Sequence, residues 1–143
     1  MYAILHNLHI NAKPSQVFSM ISTSRGLNKW WTLEADGHPV KGERYRFYFS
    51  EEYDWAGIVT KVQIDDYIEW EMLDCDQDWN GTKVGIEIFP TEIGTNVKFY
   101  HKNWKETNDH FRDTSYGWAI YFRLLKRYIE HDEYVPFDHR ENA

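Results

Sequence analysis

The feature that most constrains this chain is a long apolar stripe near its C-terminal end. Between about Asn108 and Glu130, apolar or small residues recur at steps of 4, 3, 4, 3 and 4. They are Phe111, Ser115, Trp118, Phe122, Leu125 and Ile129. This spacing places them on one face of an α-helix of about six turns. A helix with so long an apolar face needs a partner surface of similar length.

Alternating apolar and polar residues in the preceding segments predict that partner surface. Residues 2–10, 43–49, 53–64, 68–73, 84–88 and 95–101 each show the two-residue period of a strand. Their connections are too short for parallel crossovers, so we expect an antiparallel sheet. Within 53–64 the apolar residues change face, which predicts a β-bulge near Gly57.

Two short helices are predicted between the first strand and the rest of the sheet. Pro14 suits the first turn of a helix, and apolar residues between Val17 and Ile21 share one of its faces. Thr23 and its serine neighbours can cap a second helix, which carries Leu27 and Trp31 on one side.

Together these elements predict a single domain that spans residues 1–143. A chain of this length fits one compact domain, and no linker or low-complexity stretch divides it. The predicted fold class is α+β: a curved antiparallel sheet of about six to seven strands wrapped around the long C-terminal helix, with two short helices after the first strand.

Charge and cysteine content narrow the classes of partner and location. The net charge is −7 and lysine and arginine form no cluster, which argues against nucleic acid and against anionic membranes. Cys75 is the only cysteine, so no intramolecular disulfide can form, and its acidic neighbours make it a poor nucleophile. No stretch has the length of a signal peptide or a membrane span, so we expect a cytoplasmic protein.

A series of motifs runs through nearly the whole chain in an order typical of a known family. They are Ile10–Pro14 with Val17-Phe18, Leu27 with Trp30-Trp31, Gly42 before an aromatic strand, Gly57 in the next strand, Gly81–Val84, Gly94–Val97 leading to His101, and Gly117-Trp118 with Leu124-Leu125. In this order the chain resembles the START-like helix-grip (Bet v 1-like, SRPBCC) superfamily, and within it the activator of Hsp90 ATPase C-terminal-like family.

The resemblance implies one strand, two short helices, six strands and a long helix. It also implies a cavity between that helix and the sheet, which in many relatives holds an apolar small molecule, and it does not imply an enzyme. One departure from the family pattern is the end of the last helix. There the chain continues through His131-Asp132-Glu133 without the expected glycine.

The leading hypothesis is a non-catalytic binding domain with a hydrophobic cavity between the C-terminal helix and the sheet, for a small apolar or amphipathic ligand. The predicted ligand-binding residues are Trp30, Trp31, Tyr45, Phe47, Phe49, Trp70, Phe99, Trp118 and Phe122, with His101 or Ser115 fixing a polar group. Asp113 is a further candidate for that polar group. The same rings could instead fill the interior, because aromatic side chains bury large areas and interiors pack densely.

Two alternatives belong to other functional classes. The first is a co-chaperone or stress-related module that binds a chaperone, for which we expect Trp79 and Trp104 to be exposed in their acidic loops. The second is an enzyme of the cyclase or hydratase kind that uses His101 as acid or base. The parity of His101 with Phe99 directs it inward, where a hydrogen-bonded core imidazole is the more ordinary interpretation.

No metal, cofactor or catalytic constellation is predicted. Asp74, Asp76 and Asp78 stand at alternate positions before Gly81, as in a calcium loop, but Trp79 stands where that loop needs a glycine. The histidines of the first strand, His6 and His9, face opposite sides of the sheet. The expected partner is therefore a hydrophobic small molecule, or a chaperone in the alternative.

Overall fold

A computed structural model describes all residues from 1 to 143. The elements in chain order are β1 (Tyr2–Ile10), α1 (Pro14–Ser22), α2 (Ser24–Leu27), β2 (Glu34–Asp36), β3 (Arg44–Tyr48), β4 (Asp54–Gln63), β5 (Tyr67–Leu73), β6 (Lys83–Thr91), β7 (Gly94–Trp104), α3 (Asp109–His131) and a C-terminal 3₁₀ helix (Phe137–Asn142). None of the helices combines the length and the apolar character that crossing a membrane requires.

The seven strands form one antiparallel sheet in the order β1-β7-β6-β5-β4-β3-β2. Neighbours along the chain pair with each other from β2 to β7, while β1 closes onto β7. The helices α1 and α2 lie in the connection that takes the chain from one edge strand to the other. This α+β helix-grip fold confirms the prediction. The alternation pattern alone did not signal β2, because three residues are too few to show a period.

Packing between α3 and the sheet follows the predicted stripe. Trp118, Phe122 and Leu125 are at most 3% exposed. They belong to one core cluster of buried side chains that includes residues from all seven strands and all three α-helices. Phe111 and Ile129, at the two ends of the stripe, are half-buried against that cluster. Side chains therefore fill most of the space that the sheet encloses.

Both ends of α3 are capped, the first by a side chain and the second by a left-handed backbone conformation. The Asn108 side chain accepts a hydrogen bond from the Phe111 N–H at 2.9 Å, which satisfies a free donor of the first turn. At the other end Asp132 adopts a left-handed conformation, with φ at 55°, and its N–H bonds to the Arg127 and Tyr128 carbonyls. Asp132 thus takes the position that a glycine usually occupies.

The predicted bulge near Gly57 is wrong, because the irregularity in β4 lies three residues later. The register with β5 shifts between Val59 and Lys61, so Thr60 is the extra residue. Gly57 remains in regular pairing, and its missing side chain leaves room for the neighbouring Trp70. The shift explains why inward-facing residues change parity along this strand.

Trp79 and Trp104 are buried, contrary to the expectation that both are exposed. Trp79 is 6% exposed and Trp104 1% exposed. Trp79 folds back from the β5–β6 loop, and its ring centroid lies 4.7 Å from that of Trp55. Trp104 ends β7 with its ring 5.0 Å from His101. Their large apolar area is therefore removed from water inside the chain itself.

Candidate functional site

A cleft of ≈ 390 Å³ opens where the N-terminal half of α3, the β3–β4 hairpin and the C-terminal 3₁₀ helix meet. Its lining residues are Trp31, Phe49, Ser50, Tyr53, Trp55, Trp79, His110, Asp113, Thr114, Gly117, Trp118, Tyr121, Phe137 and Glu141. They come from five separate segments of the chain. The cleft has the size of small-molecule sites in proteins, which are about 300–1,000 Å³.

Five of the lining rings form a closed circuit, which we call the aromatic wall. Its members are Trp31, Phe49, Trp55, Trp79 and Trp118, and neighbouring ring centroids lie 4.7 to 5.9 Å apart around the circuit. Such offset and tilted pairs stabilise each other beyond the area they bury. The aromatic wall is therefore a rigid apolar surface at the base of the cleft.

The helix contributes a second stripe to the cleft, next to its core stripe. His110, Thr114, Gly117 and Tyr121 follow one another at steps of 4, 3 and 4, one position before the core residues. A Cβ atom added at Gly117 would meet no heavy atom within 4 Å. The glycine thus leaves open space directly beside Trp118.

The C-terminal 3₁₀ helix forms the third side and is anchored by one buried arginine. Arg140 is 1% exposed. Its guanidinium donates to the carbonyls of Asn28 at 2.8 Å, Val135 at 3.0 Å and Thr32 at 3.2 Å. This anchor holds the neighbouring Glu141 at the cleft.

Two of the polar side chains that line the cleft are carboxylates. The carboxylates of Asp113 and Glu141 line it, are exposed to solvent, and form no side-chain hydrogen bond or ion pair. No lysine or arginine lines the cleft. The His110 ring lies between two carboxylates, with Nδ1 2.8 Å from Asp78 and Nε2 3.5 Å from Asp76. Burial raises the pKa of Tyr121, and the Glu141 carboxylate adds to that shift, so the phenol keeps its proton.

His101 lies behind the aromatic wall and is completely buried. The Trp118 indole N–H donates to its Nδ1 at 3.2 Å, and its Nε2 lies 2.8 Å from the Thr82 hydroxyl. That hydroxyl donates to the Trp79 carbonyl at 2.6 Å. Because an indole can only donate, Nδ1 must accept and the proton sits on Nε2. Burial lowers the pKa of His101 to about 3, and nearby His110 adds to the effect.

The eleven predicted ligand-binding residues fall into three groups. Trp31, Phe49 and Trp118 line the cleft. The rings that lie in the core, at most 4% exposed and outside the cleft, are Trp30, Tyr45, Phe47, Trp70, Phe99 and Phe122, together with the imidazole of His101. Ser115 faces β1, where its carbonyl and hydroxyl approach His6 Nε2 at 3.1 and 3.4 Å. Some of the predicted rings therefore line the cleft, and others fill the core.

Several cleft residues were not proposed for any site from the sequence alone. They are Ser50, Tyr53, Trp55, His110, Thr114, Gly117, Tyr121, Phe137 and Glu141. A glycine in the middle of a long helix is a usable signal, because it costs helix stability and so suggests a packing or functional reason. The residues of the 3₁₀ helix gave no signal, since they follow the last periodic segment.

The acidic loop before β6 uses its carboxylates locally. Asp74 binds Arg44 at 2.6 Å, and Asp76 accepts the Trp79 N–H at 2.8 Å. No group of three or more His, Cys, Asp or Glu side chains has an arrangement that could hold a metal ion. Burial, reinforced by Asp76 and Asp74, raises the pKa of Cys75 to about 12 against weaker opposing hydrogen bonds, so its thiol stays protonated.

Solved structures with the same fold cover almost the whole chain. The Aha1 dimer from Colwellia psychrerythraea is 30% identical, with a TM-score of 0.85 over 93% of this chain and 99% of that chain. The protein BH1534 from Bacillus halodurans is 22% identical, with a TM-score of 0.77 over 91% and 98%. SSP2350 from Staphylococcus saprophyticus is 16% identical, with a TM-score of 0.79 over 94% and 96%.

The sequence comparison agrees with the structural one. No curated protein matches the chain significantly. Residues 11–130 match the family described as "Activator of Hsp90 ATPase homolog 1-like protein", which accounts for most of the helix-grip fold. The chain therefore belongs to the family of activator of Hsp90 ATPase homolog 1-like proteins.

Proposed function

We propose that this protein is a non-catalytic binding domain that takes a small apolar or amphipathic molecule in the cleft above the aromatic wall. The observation that carries the proposal is the open space beside Gly117, bounded by rings that are already packed against each other. A preformed apolar site needs little reorganisation on binding, and most of its affinity comes from the area that the ligand buries.

The arrangement of polar groups favours binding over catalysis. The cleft has no nucleophile beside a base, and His101 is separated from it by the rings of Trp79 and Trp118. Both nitrogens of His101 are already engaged, so it cannot exchange a proton with a ligand in the cleft without breaking a buried hydrogen bond. A cyclase or hydratase reaction would need a different acid or base.

The test is a substitution that fills the open space. Gly117→Leu should reduce binding of the neutral fluorescent probe N-phenyl-1-naphthylamine by at least about tenfold, a loss of about 1.4 kcal/mol of binding free energy. Ala119→Leu, on the exposed side of the same helix, is the matched control and should bind as the unchanged protein does. Equal binding by the Gly117→Leu protein, or no binding by the unchanged protein, would contradict the proposal.

A second measurement identifies what the protein carries from the cell. The mass of the natively purified protein should exceed its denatured mass by one small molecule, recoverable by organic extraction. The Gly117→Leu protein should lack this difference. A bound molecule that persists in that variant would place the ligand elsewhere.

A chaperone-binding module is the second candidate, and it is supported by the family match. The two tryptophans that the sequence offered for such an interface are buried, so the contact would need other residues. Sedimentation of the purified protein with an Hsp90-class chaperone should show a complex if this candidate is correct. The relative from Colwellia psychrerythraea is a dimer, so self-association could also make the protein sediment faster. The protein without the chaperone is therefore the control.

A further inference from the structure

We infer that the ligand of this cleft is a cationic amphiphile, with an apolar body on the aromatic wall and an amine or quaternary ammonium group beside Asp113 and Glu141. The inference rests on the proposed function, because it names the chemical class of the molecule that the cleft would take. It is carried by the charges and the rings that line the cleft.

The first observation is that the negative charges at the cleft are uncompensated. Asp113 and Glu141 both line it without any partner in the chain. Their basic neighbours in sequence, Arg112 and Arg140, form no ion pair with them. The Arg140 guanidinium donates to three backbone carbonyls and lies over the Phe137 ring. A carboxylate beside an apolar surface attracts a cation more strongly than one in bulk water, because the effective dielectric constant is lower.

The positive groups near the cleft do not offset these carboxylates. His110 is the one basic side chain in the lining. Its Nδ1 is already hydrogen-bonded to Asp78, and its Nε2 lies 3.5 Å from Asp76. Glu51 and Glu52, exposed at the tip of the β3–β4 hairpin next to Ser50, add further negative charge on that side. Among the lining side chains, an anionic ligand would therefore meet two carboxylates and no lysine or arginine.

The second observation is that the apolar surface is aromatic throughout. The faces of tryptophan, tyrosine and phenylalanine rings carry negative potential, and quaternary ammonium groups bind in cages built from such rings. Tyr53 and Tyr121 stand at the cleft beside the aromatic wall, so a cation there is flanked by rings as well as by carboxylates. Aliphatic side chains are absent from the lining, although a purely hydrophobic site could use them equally well.

The net charge of the protein acts in the same direction. At −7 the whole molecule attracts cations and repels anions at long range, which raises the association rate of a cationic ligand. This contribution is weakened by salt, whereas contact with the rings is not. Measuring affinity at different salt concentrations therefore separates the electrostatic contribution from the contribution of the ring contacts.

The test uses three ligands with one phenylbutyl body and different head groups: 4-phenylbutylamine, 4-phenyl-1-butanol and 4-phenylbutyrate. By titration calorimetry at low salt, the amine should bind at least about tenfold more tightly than the alcohol, and the acid most weakly. Raising the salt concentration should weaken binding of the amine and leave binding of the alcohol nearly unchanged.

Substitutions assign the preference to the two carboxylates. Asp113→Asn and Glu141→Gln should each weaken binding of the amine by about three- to tenfold without affecting binding of the alcohol. Glu106→Gln is the matched control, since it removes one exposed carboxylate outside the cleft and changes the net charge equally. An equal effect of Glu106→Gln would mean that only the overall charge matters, and would overturn the inference.

The outcomes distinguish this inference from the proposed function. Equal or tighter binding of the alcohol or the acid overturns the cationic preference and leaves a ligand-binding cleft in place. Failure of all three ligands also overturns it when N-phenyl-1-naphthylamine still binds. Failure of the probe as well counts against the cleft itself.

Discussion

His101 lies between α3 and the sheet with both ring nitrogens hydrogen-bonded, one to the Trp118 indole and one to the Thr82 hydroxyl. A second proton on this ring would sit on Nδ1 and oppose the indole N–H. It would also place a charge in a site without a carboxylate partner. The folded protein therefore favours the neutral imidazole, in agreement with a pKa lowered by burial to about 3.

The consequence is a loss of stability in mild acid. An unfolded histidine takes up a proton below pH ~6.5. The folded His101 stays neutral to about pH 3. The unfolded state thus binds more protons in this window, and the free energy of unfolding should fall as the pH drops, by up to ~1.4 kcal/mol per pH unit. Denaturant melts between pH 6.5 and 5 measure this slope before the carboxylates, with lower pKa values, contribute.

A variant and a direct titration keep that prediction testable. His101→Gln retains an acceptor and a donor but does not titrate, so its stability should depend less on pH across the same window. If the variant fails to fold, NMR titration of the His101 ring in the unchanged protein replaces it. An ordinary pKa, near 6.5, would show that the imidazole is not enclosed as described.

Individual residues show where sequence reasoning stops. Strand parity placed His101 inward, and the structure agrees. Its partner Trp118 lies on another element, however, and no local pattern connects the two. Ser115 similarly lies on the predicted stripe, but its neighbour is His6, more than a hundred residues away. Facing direction follows from local period, while hydrogen-bond partners follow from tertiary packing.

At the level of single elements, the outer face of the sheet contains a buried carboxylate. Glu69 is only 3% exposed. The Tyr100 ring lies over Gly85, where any side chain would clash with it, and its hydroxyl donates to Glu69. Burial alone would raise the pKa of Glu69, but hydrogen bonds from Thr60 and Tyr100 and the charge of Lys102 together lower it. The Thr60 bulge thus supplies a partly buried hydrogen bond to Glu69.

The anchor of the C-terminal 3₁₀ helix gives a prediction about the third side of the cleft. Arg140→Gln leaves backbone carbonyls of Asn28 and Thr32 without their charged donor. We expect a stability loss of about 1.5–3 kcal/mol, the usual range for hydrogen bonds to a charged group. Limited proteolysis should then cut the segment around Phe137 faster than in the unchanged protein.

Arg127→Gln provides the comparison for that change. Arg127 pairs with Glu133 at 2.7 Å on a solvent-accessible part of the surface. Exposed ion pairs contribute little, so its loss should cost less than about 1 kcal/mol. Similar losses in both variants would indicate that the three carbonyl contacts of Arg140 do not hold the tail.

The molecule as a whole divides into a part that periodicity predicts and a part that it does not. Long stripes and alternating strands determined the helix-grip fold, because each repeats the same signal many times along the chain. The aromatic wall as a whole has no such signal, since three of its five rings come from connections, one from β4 and one from α3. Which rings line the cleft and which fill the core is decided by how these segments pack in three dimensions.

Trp118 contacts both the cleft and the core, so replacing it tests the architecture directly. Its ring lies 5.0 Å from Trp31 in the cleft and 4.6 Å from Phe99 in the core. Trp118→Ala should cost about 3–5 kcal/mol in denaturant melts, as other large-to-small core changes do. A loss below about 1 kcal/mol would contradict the placement of α3 in the sheet.

Trp118→Phe separates packing from hydrogen bonding in the same position. It keeps most of the aromatic contact but removes the donor to His101, so its cost should be nearer 1–3 kcal/mol, about that of one unsatisfied buried acceptor. Because Nδ1 of His101 is then free to take a proton, this variant should also depend less steeply on pH than the unchanged protein. A single ring would thereby link the shape of the cleft, the packing of the core and the response to acid.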